Sequence, residues 1–237
     1  MRIAVFGAGG RAGKRVSLEA VRRGHEVVAV VRDVVAHGGL ASDIMAAHGD
    51  LPVEEHGDGT GGGVSVKRGD VTDPVSVLRL ADGCDAVVSA VTPASGPEEL
   101  ARRGLDELYF VKAADALLAA QPRRLVVVGL FATLYDDGGR LVMDDPAAFP
   151  AQLRAFAQAH LAGLERLRER ARAGRRWLVL TPTARLDPAG ERTGTYRLGG
   201  EQVPEDESGS LSYADLAVAV LDEIERPTRS GRVVVYR

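Results

Sequence analysis

Seven residues close to the N-terminus, Gly7-Ala8-Gly9-Gly10-Arg11-Ala12-Gly13, combine glycine content and spacing in a way that suits phosphate chemistry. Gly7, Gly10 and Gly13 stand three apart, with Gly9 as an extra glycine. The apolar run Arg2-Phe6 precedes them and a helical pattern follows. Glycine tolerates positive φ and places no Cβ between backbone and ligand, so a pyrophosphate can approach the N–H groups of a first helical turn. Gly13 would let that helix pack closely on its strand. An ordinary tight strand-to-helix turn is the alternative. A second apolar run at the expected distance, Glu26-Val31, favours a dinucleotide site instead. That run continues into Arg32 and Asp33, where such a site meets the adenosine ribose. An acidic side chain there accepts bonds from a 2′-hydroxyl, whereas an arginine pairs with a 2′-phosphate. The charge logic favours NADP(H) over NAD(H), with Arg11 as a second candidate partner for the phosphate. If Asp33 takes the ribose position and Arg32 turns to solvent, NAD(H) binds as well or better. For each arginine, a solvated surface role is the plain alternative.

A catalytic constellation is harder to find. Tyrosine can serve as a proton donor to a carbonyl when a lysine four residues on lowers its pKa. Here the lysines are Lys14, Lys67 and Lys112, and the residues four before them are Gly10, Gly63 and Leu108, so no such pair exists. Farther along, Phe156 and His160 lie one helical turn apart, on the stripe Leu153, Phe156, Leu164, Leu167. His160 is expected to be a packed histidine with a satisfied hydrogen bond, and a proton donor or substrate contact only second. Thr133 and Tyr135, after the apolar run Arg124-Val128, could bond a substrate or a nicotinamide amide, or could simply pack their loop. His25, His37, His48, His56 and His160 show no HxH or HExxH spacing, and no GxSxG elbow is present. Neither a metal site nor a serine hydrolase is expected. Hydride transfer to a flavin needs no dedicated acid, because the remaining proton can come from water.

The elements that must position these groups alternate. Strands are expected at Arg2-Phe6, Glu26-Val31, Val64-Lys67, Ala86-Ser89, Arg124-Val128, Trp177-Leu180 and Arg232-Tyr236, and their near-continuous hydrophobicity suits burial on both faces. Helices fit at Ala12-Arg23, Val75-Ala81, roughly 98–120, roughly 151–173, and Tyr213-Glu225, the last opened by the capping pair Ser212 and Asp215. This pattern is an α/β Rossmann-like doubly wound parallel sheet with helices on both faces and a small C-terminal extension on the substrate side. One domain over 1–237 is expected, interrupted at about 34–63 by an insertion with a possible short helix near Leu40-Ala47 and a flexible run from His56 to Gly63. The segment Asp187-Pro204 suggests a turn and a short extra strand beyond the main sheet. The net charge of −3 gives no field of one sign, so neither nucleic acid nor an anionic membrane is an expected partner. Cys84 is the single cysteine and no apolar run reaches the ~18 residues of a membrane span, which together suggest a cytoplasmic protein. A small-molecule substrate is the expected partner, a protein partner is conceivable, and the oligomeric state is left open.

With these residues in place, the chain resembles the atypical short-chain dehydrogenase/reductases, in the branch holding NADH-flavin reductase-like, biliverdin reductase B-type and NmrA-like proteins. The likeness rests on the glycine turn, Arg32, Gly69-Asp70-Val71-Thr72-Asp73, RLVVVG at 124–129, GERTGTYRLGG at 190–200 and SYADLAVAVLDEIE at 212–225. The resemblance implies that Asp70 and the backbone of Val71 lie beside the adenine. It also implies that Ala90, Val91 and Thr92 flank the cofactor and that Pro182 lies near the nicotinamide. For Asp70, a turn cap is an equal alternative. The implied activity is NADPH-dependent hydride transfer to a flavin or similar conjugated acceptor, flavin being a substrate. A non-catalytic NADP(H)-sensing regulator is the alternative, since the branch contains both.

Overall fold

Strands β1 (Arg2–Phe6), β2 (Glu26–Val31), β4 (Ala86–Ser89) and β6 (Trp177–Pro182) bury nearly every residue they contain. Such strands need cover on both faces, and alternating residues divide it between two layers. Ile3, Val5, Val27 and Ala29 face α1 (Arg11–Arg22), α2 (Leu40–His48) and α6 (Tyr213–Glu225). Ala4, Phe6, Val28 and Val30 face α3 (Pro74–Ala81), α4 (Tyr109–Ala119) and α5 (Arg154–Arg170). The computed structural model describes residues 1–48, 63–94, 99–100, 102, 104–171, 177–206 and 209–237.

With β3 (Val64–Arg68), β5 (Leu125–Val128), β8 (Arg197–Leu198) and β10 (Gly231–Tyr236), the sheet runs in the order β3-β2-β1-β4-β5-β6-β10-β8. All pairings are parallel except the last, β10 with β8. This is the expected doubly wound α/β architecture. Strand order reverses between β1 and β4, and the crevice at the carboxyl ends of those two strands is where open sheets of this kind take ligands. A separate parallel pair, β7 (Leu186–Asp187) with β9 (Leu211–Ser212), forms the extension on that side of the sheet and leads straight into α6.

Four expectations change. The helix expected over roughly 98–120 is interrupted: residues 99, 100 and 102 are helical, residues 104–108 are not, and α4 begins at Tyr109. Gly104 sits at φ +76, and the Asp106 carboxylate accepts from Leu108 N at 3.1 Å, so a turn precedes the helix. The extra strand in 187–204 is not beyond the main sheet but forms its antiparallel edge, because Leu198 pairs with Val235 and joins the core. Strand β6 runs two residues past Leu180, so Pro182 is its last residue, in register with Val235, rather than following the strand. The helix expected over roughly 151–173 opens with a 3-10 turn, Ala151–Leu153, before α5. Within the insertion, the short helix is present as α2, while the glycine run from His56 to Gly62 lies outside the described residues. Ser212 caps α6 as expected, accepting from Asp215 N at 2.9 Å. Asp215 does more than its capping pattern implies, since its carboxylate receives Thr193 N, Thr193 Oγ1 and Gly194 N at 2.7–2.8 Å and pins the 190–200 segment to the helix.

Candidate functional site

The glycine turn is built by backbone alone. Gly7 takes φ +83, Gly7 N and Ala8 N both donate to Val30 O, and Gly10 N closes back on Gly7 O at 2.9 Å. A Cβ at Gly7 would lie 2.4 Å from Ala90 O, and one at Gly13 would lie 2.1 Å from Gly7 O, so neither position has room for a side chain. Gly10 is the N-cap of α1, and neither a side-chain cap nor an acidic residue occupies the first turn. The N–H groups at this helix start therefore remain for an anion, in the positive field of the helix dipole. These features, a cradle that a Cβ would fill and an uncapped helix start, fit a dinucleotide pyrophosphate.

Two cavities continue from the turn along the carboxyl edge of the sheet. One, of about 490 Å³, runs past Gly7 and Gly9 to Val30, Arg32, Gly69 and Val71. The other, of about 360 Å³, runs past Gly10, Arg11 and Ala12 to Phe131, Phe156, Pro182 and Tyr213. Ala90, Val91 and Thr92 line both, which makes this strand end the bridge between the halves. In the first half, Arg32 is exposed and makes one long bond, 3.3 Å, to Pro93 O. Asp33 turns one carboxylate oxygen to Val35 N and Ala36 N at 2.9 and 3.1 Å. Asp33 is thereby held in the turn that follows β2. Asp70 is exposed and its Oδ1 accepts from both Thr72 N and Thr72 Oγ1 at 2.8 Å, so its carboxylate caps a turn; Gly69 and Val71 beside it line the cavity. Arg11 departs from its expected place. Its guanidinium lies 5.6 Å over the Tyr213 ring, in the half of the cleft away from Arg32. As the first residue of α1 it points along the helix start toward α6.

The second half is walled by Leu153, Phe156, Phe131, Leu186 and Pro182, and no carboxylate is among its described lining residues. His160 reaches this cleft from α5, its ring centroid 3.6 Å from that of Phe110 and 4.8 Å from that of Phe156. Burial among these rings pushes the imidazole down to about 3, so it is neutral at ordinary pH. Packing was expected of His160, but the accompanying hydrogen bond is not found: no described residue bonds its ring nitrogens. Thr133 is buried in a 3-10 turn, Phe131–Thr133, and donates its hydroxyl proton to Leu130 O at 2.8 Å, which commits it to its own loop. Tyr135 does not line the cleft; its ring packs under the Arg232 guanidinium at 5.0 Å and its backbone pairs with the segment at 201–203. The loop after β5 turns away from the crevice there, so Thr133 and Tyr135 cannot serve one site together. Among the described residues, no cluster of His, Cys, Asp or Glu could hold a metal ion.

Three lining residues escape a reading of the sequence. Thr183 is 4% exposed and its Oγ1 has no hydrogen-bond partner, although it borders the cleft; only its place after Pro182 hints at this. Tyr213 looks like the first residue of a packing helix, yet it faces the cleft. The His37 ring lies directly over Gly9, where an added Cβ would meet it at 2.4–2.8 Å, and nothing in its spacing signals that contact.

The matches to known proteins agree with this geometry. A family described as NAD(P)H-binding matches residues 7–227, and the chain belongs to it. A nicotinamide cofactor is therefore the ligand of this fold. YwnB of Bacillus subtilis is 34% identical over 96% of this chain and 93% of its own length. Among solved structures, a candidate exported protein of Burkholderia pseudomallei is 30% identical with a TM-score of 0.73, covering all of both chains. A candidate NADH-flavin reductase of Streptococcus pneumoniae is 29% identical with a TM-score of 0.72, covering 100% of this chain and 99% of that one. No helix among the described residues is long and apolar enough to cross a membrane.

Proposed function

We propose that this protein is an NADPH-dependent oxidoreductase that reduces a flavin or a similar conjugated ring. The observation that carries this reading is the second half of the cleft: aromatic and aliphatic walls with no carboxylate among the described lining residues, no Tyr-x-x-x-Lys pair in the sequence, and a dinucleotide turn next to it. Bound there, the reduced nicotinamide supplies a hydride, two electrons with one proton. The acceptor's second proton comes from water, which balances the reaction without an acid on the protein. The chain's own contribution is position and exclusion. The first turn of α1 and the cradle at Gly7 and Gly13 hold the pyrophosphate, and the strand end at Ala90–Thr92 supports the molecule between the halves. Phe131, Phe156 and Pro182 press a flat acceptor against the reactive face and keep water off it. The unpartnered Thr183 hydroxyl is positioned to bond the nicotinamide amide or the acceptor.

Arg32 supports the preference for NADPH: it and Asp33 both line the first cavity, but Asp33 Oδ1 is taken by two backbone N–H groups. A single unpaired Cys84 fits a reducing, cytoplasmic setting. The relative described as a candidate NADH-flavin reductase lends the acceptor class further support. Steady-state NADPH oxidation with and without FMN or riboflavin tests the proposal. Saturable, acceptor-dependent turnover is expected, and no rate above that of buffer ends it.

A further inference from the structure

A small chamber of about 40 Å³ lies beside the acceptor half of the cleft and shares His160 with it. Val91, Val128, Gly129, Leu130 and His160 line both spaces, so the chamber adjoins the place where a conjugated acceptor would rest. Its other walls come from Phe110, Ala113 and Leu117 of α4, Leu164 and Leu167 of α5, and Val179 of β6. The helices meet closely here because Gly163 carries no side chain; a Cβ would lie 2.6 Å from the Phe110 Cβ. Helices α4 and α5 and strand β6 form most of the chamber, and the start of the loop after β5, at Gly129, Leu130 and Thr133, completes it. The polar side chains on its walls are Ser89, Thr133 and His160, and the Thr133 hydroxyl proton is already taken by Leu130 O.

On the reading that the cleft reduces a conjugated ring, we propose that this chamber is a subsite for a short alkyl substituent carried on that ring, a methyl or an ethyl group. Its size decides the class of occupant. A volume of ~10–15 Å³ already admits one water, so about 40 Å³ holds about three or four such positions, enough for one or two carbons and too little for a branched or aromatic group. Its surface decides the chemistry. Mostly apolar walls favour a hydrocarbon, and each buried methylene is worth about a fourfold gain in binding. His160 lines both spaces and, being neutral, imposes no charge on a group that lies between them.

The test uses four isoalloxazines that differ only at the benzenoid edge: unsubstituted, 8-methyl, 8-ethyl and 8-propyl. Their kcat/KM values with NADPH and their dissociation constants from the protein with NADP+, by calorimetry, are compared across three proteins. The natural chain should favour the alkylated rings by about fourfold per carbon. Ala113→Leu, which fills the chamber, should bring the ratio close to one. Leu167→Ala, which enlarges it, should extend the gain to an 8-propyl ring. Intrinsic differences in acceptor reactivity cancel when the ratio is compared between proteins. Equal ratios in the natural chain and both variants overturn the subsite, and if Ala113→Leu does not fold, Leu167→Ala decides alone. Graded binding without turnover would end the reductase reading while leaving the subsite intact.

Discussion

An imidazole packed among aromatic rings resists protonation, and His160 shows the consequence for stability. Its pKa falls to about 3 in the fold, below the ~6.5 of an exposed histidine. The unfolded chain therefore takes up a proton that the native one does not. The contribution of His160 is complete above about pH 6.5 and is lost progressively as pH falls toward about 3. At about pH 5 the loss is on the order of 1–2 kcal/mol. Urea denaturation of His160→Leu should show a correspondingly smaller drop between about pH 7 and pH 5. The same drop in both proteins would mean that the native ring takes up its proton as readily as an exposed one. Arg32 offers the second prediction at this scale. Arg32→Asp should weaken NADPH by roughly 10- to 100-fold, the worth of a charge-assisted bond, and NADH by much less, as calorimetric titration would show. Equal losses would mean that Arg32 does not read the 2′-phosphate. Single residues were only partly legible in the sequence. Arg32 and the glycines stand in local motifs, whereas the commitments of Asp33, Asp70 and Thr133 to neighbouring backbone depend on turn geometry that residue type does not reveal. Tyr135 is two residues from Thr133, yet the chain turns between them, which spacing alone cannot show.

Elements determine how firmly the cleft is held. The β1–α1 connection has no slack: Gly7 touches Ala90 and Gly13 touches Gly7 through backbone atoms that cannot swing aside. Gly13→Ala should lower stability by about 2–3 kcal/mol and abolish NADPH binding, measured by denaturation and by cofactor fluorescence, because α1 must retreat from β1. Retained affinity in a stably folded variant would contradict that account. Elsewhere α1 is tied to the C-terminal segment through Glu19, which is 3% exposed and receives Arg192 at 2.8 Å through two nitrogens and Arg23 at 2.8 Å. Burial alone would raise this carboxyl, but those bonds outweigh it and hold it below the usual range. The helix that carries the phosphate site and the segment bordering the substrate side are thus fixed to each other. Alternating short apolar runs made the strands and most helices legible. The start of α4 was not, since a helical pattern of side chains continues through Gly104 even though the backbone there is left-handed.

At the scale of the whole molecule, two layers of helices hold one sheet whose order reverses at β1 and β4, and both halves of the cleft open along the carboxyl edge created by that reversal. The alternation of strands and helices foretold this architecture. Edge strand β8 was misplaced because its partner, β10, is separated from it by more than thirty residues of chain, and pairings at that distance leave no local trace. The absence of a Tyr–Lys pair could be read from the sequence with certainty; the apolar cleft that gives this absence a meaning requires the fold. Together they make direct hydride transfer to a stacked ring the central claim. Its most direct measurement is an anaerobic rapid-mixing experiment, in which the protein loaded with NADPH is mixed with FMN and the nicotinamide and flavin absorbances are followed. The two should decay together, at a rate that saturates with FMN and slows when the transferred hydrogen is deuterium. A rate equal to that of NADPH and FMN without the protein would contradict the account.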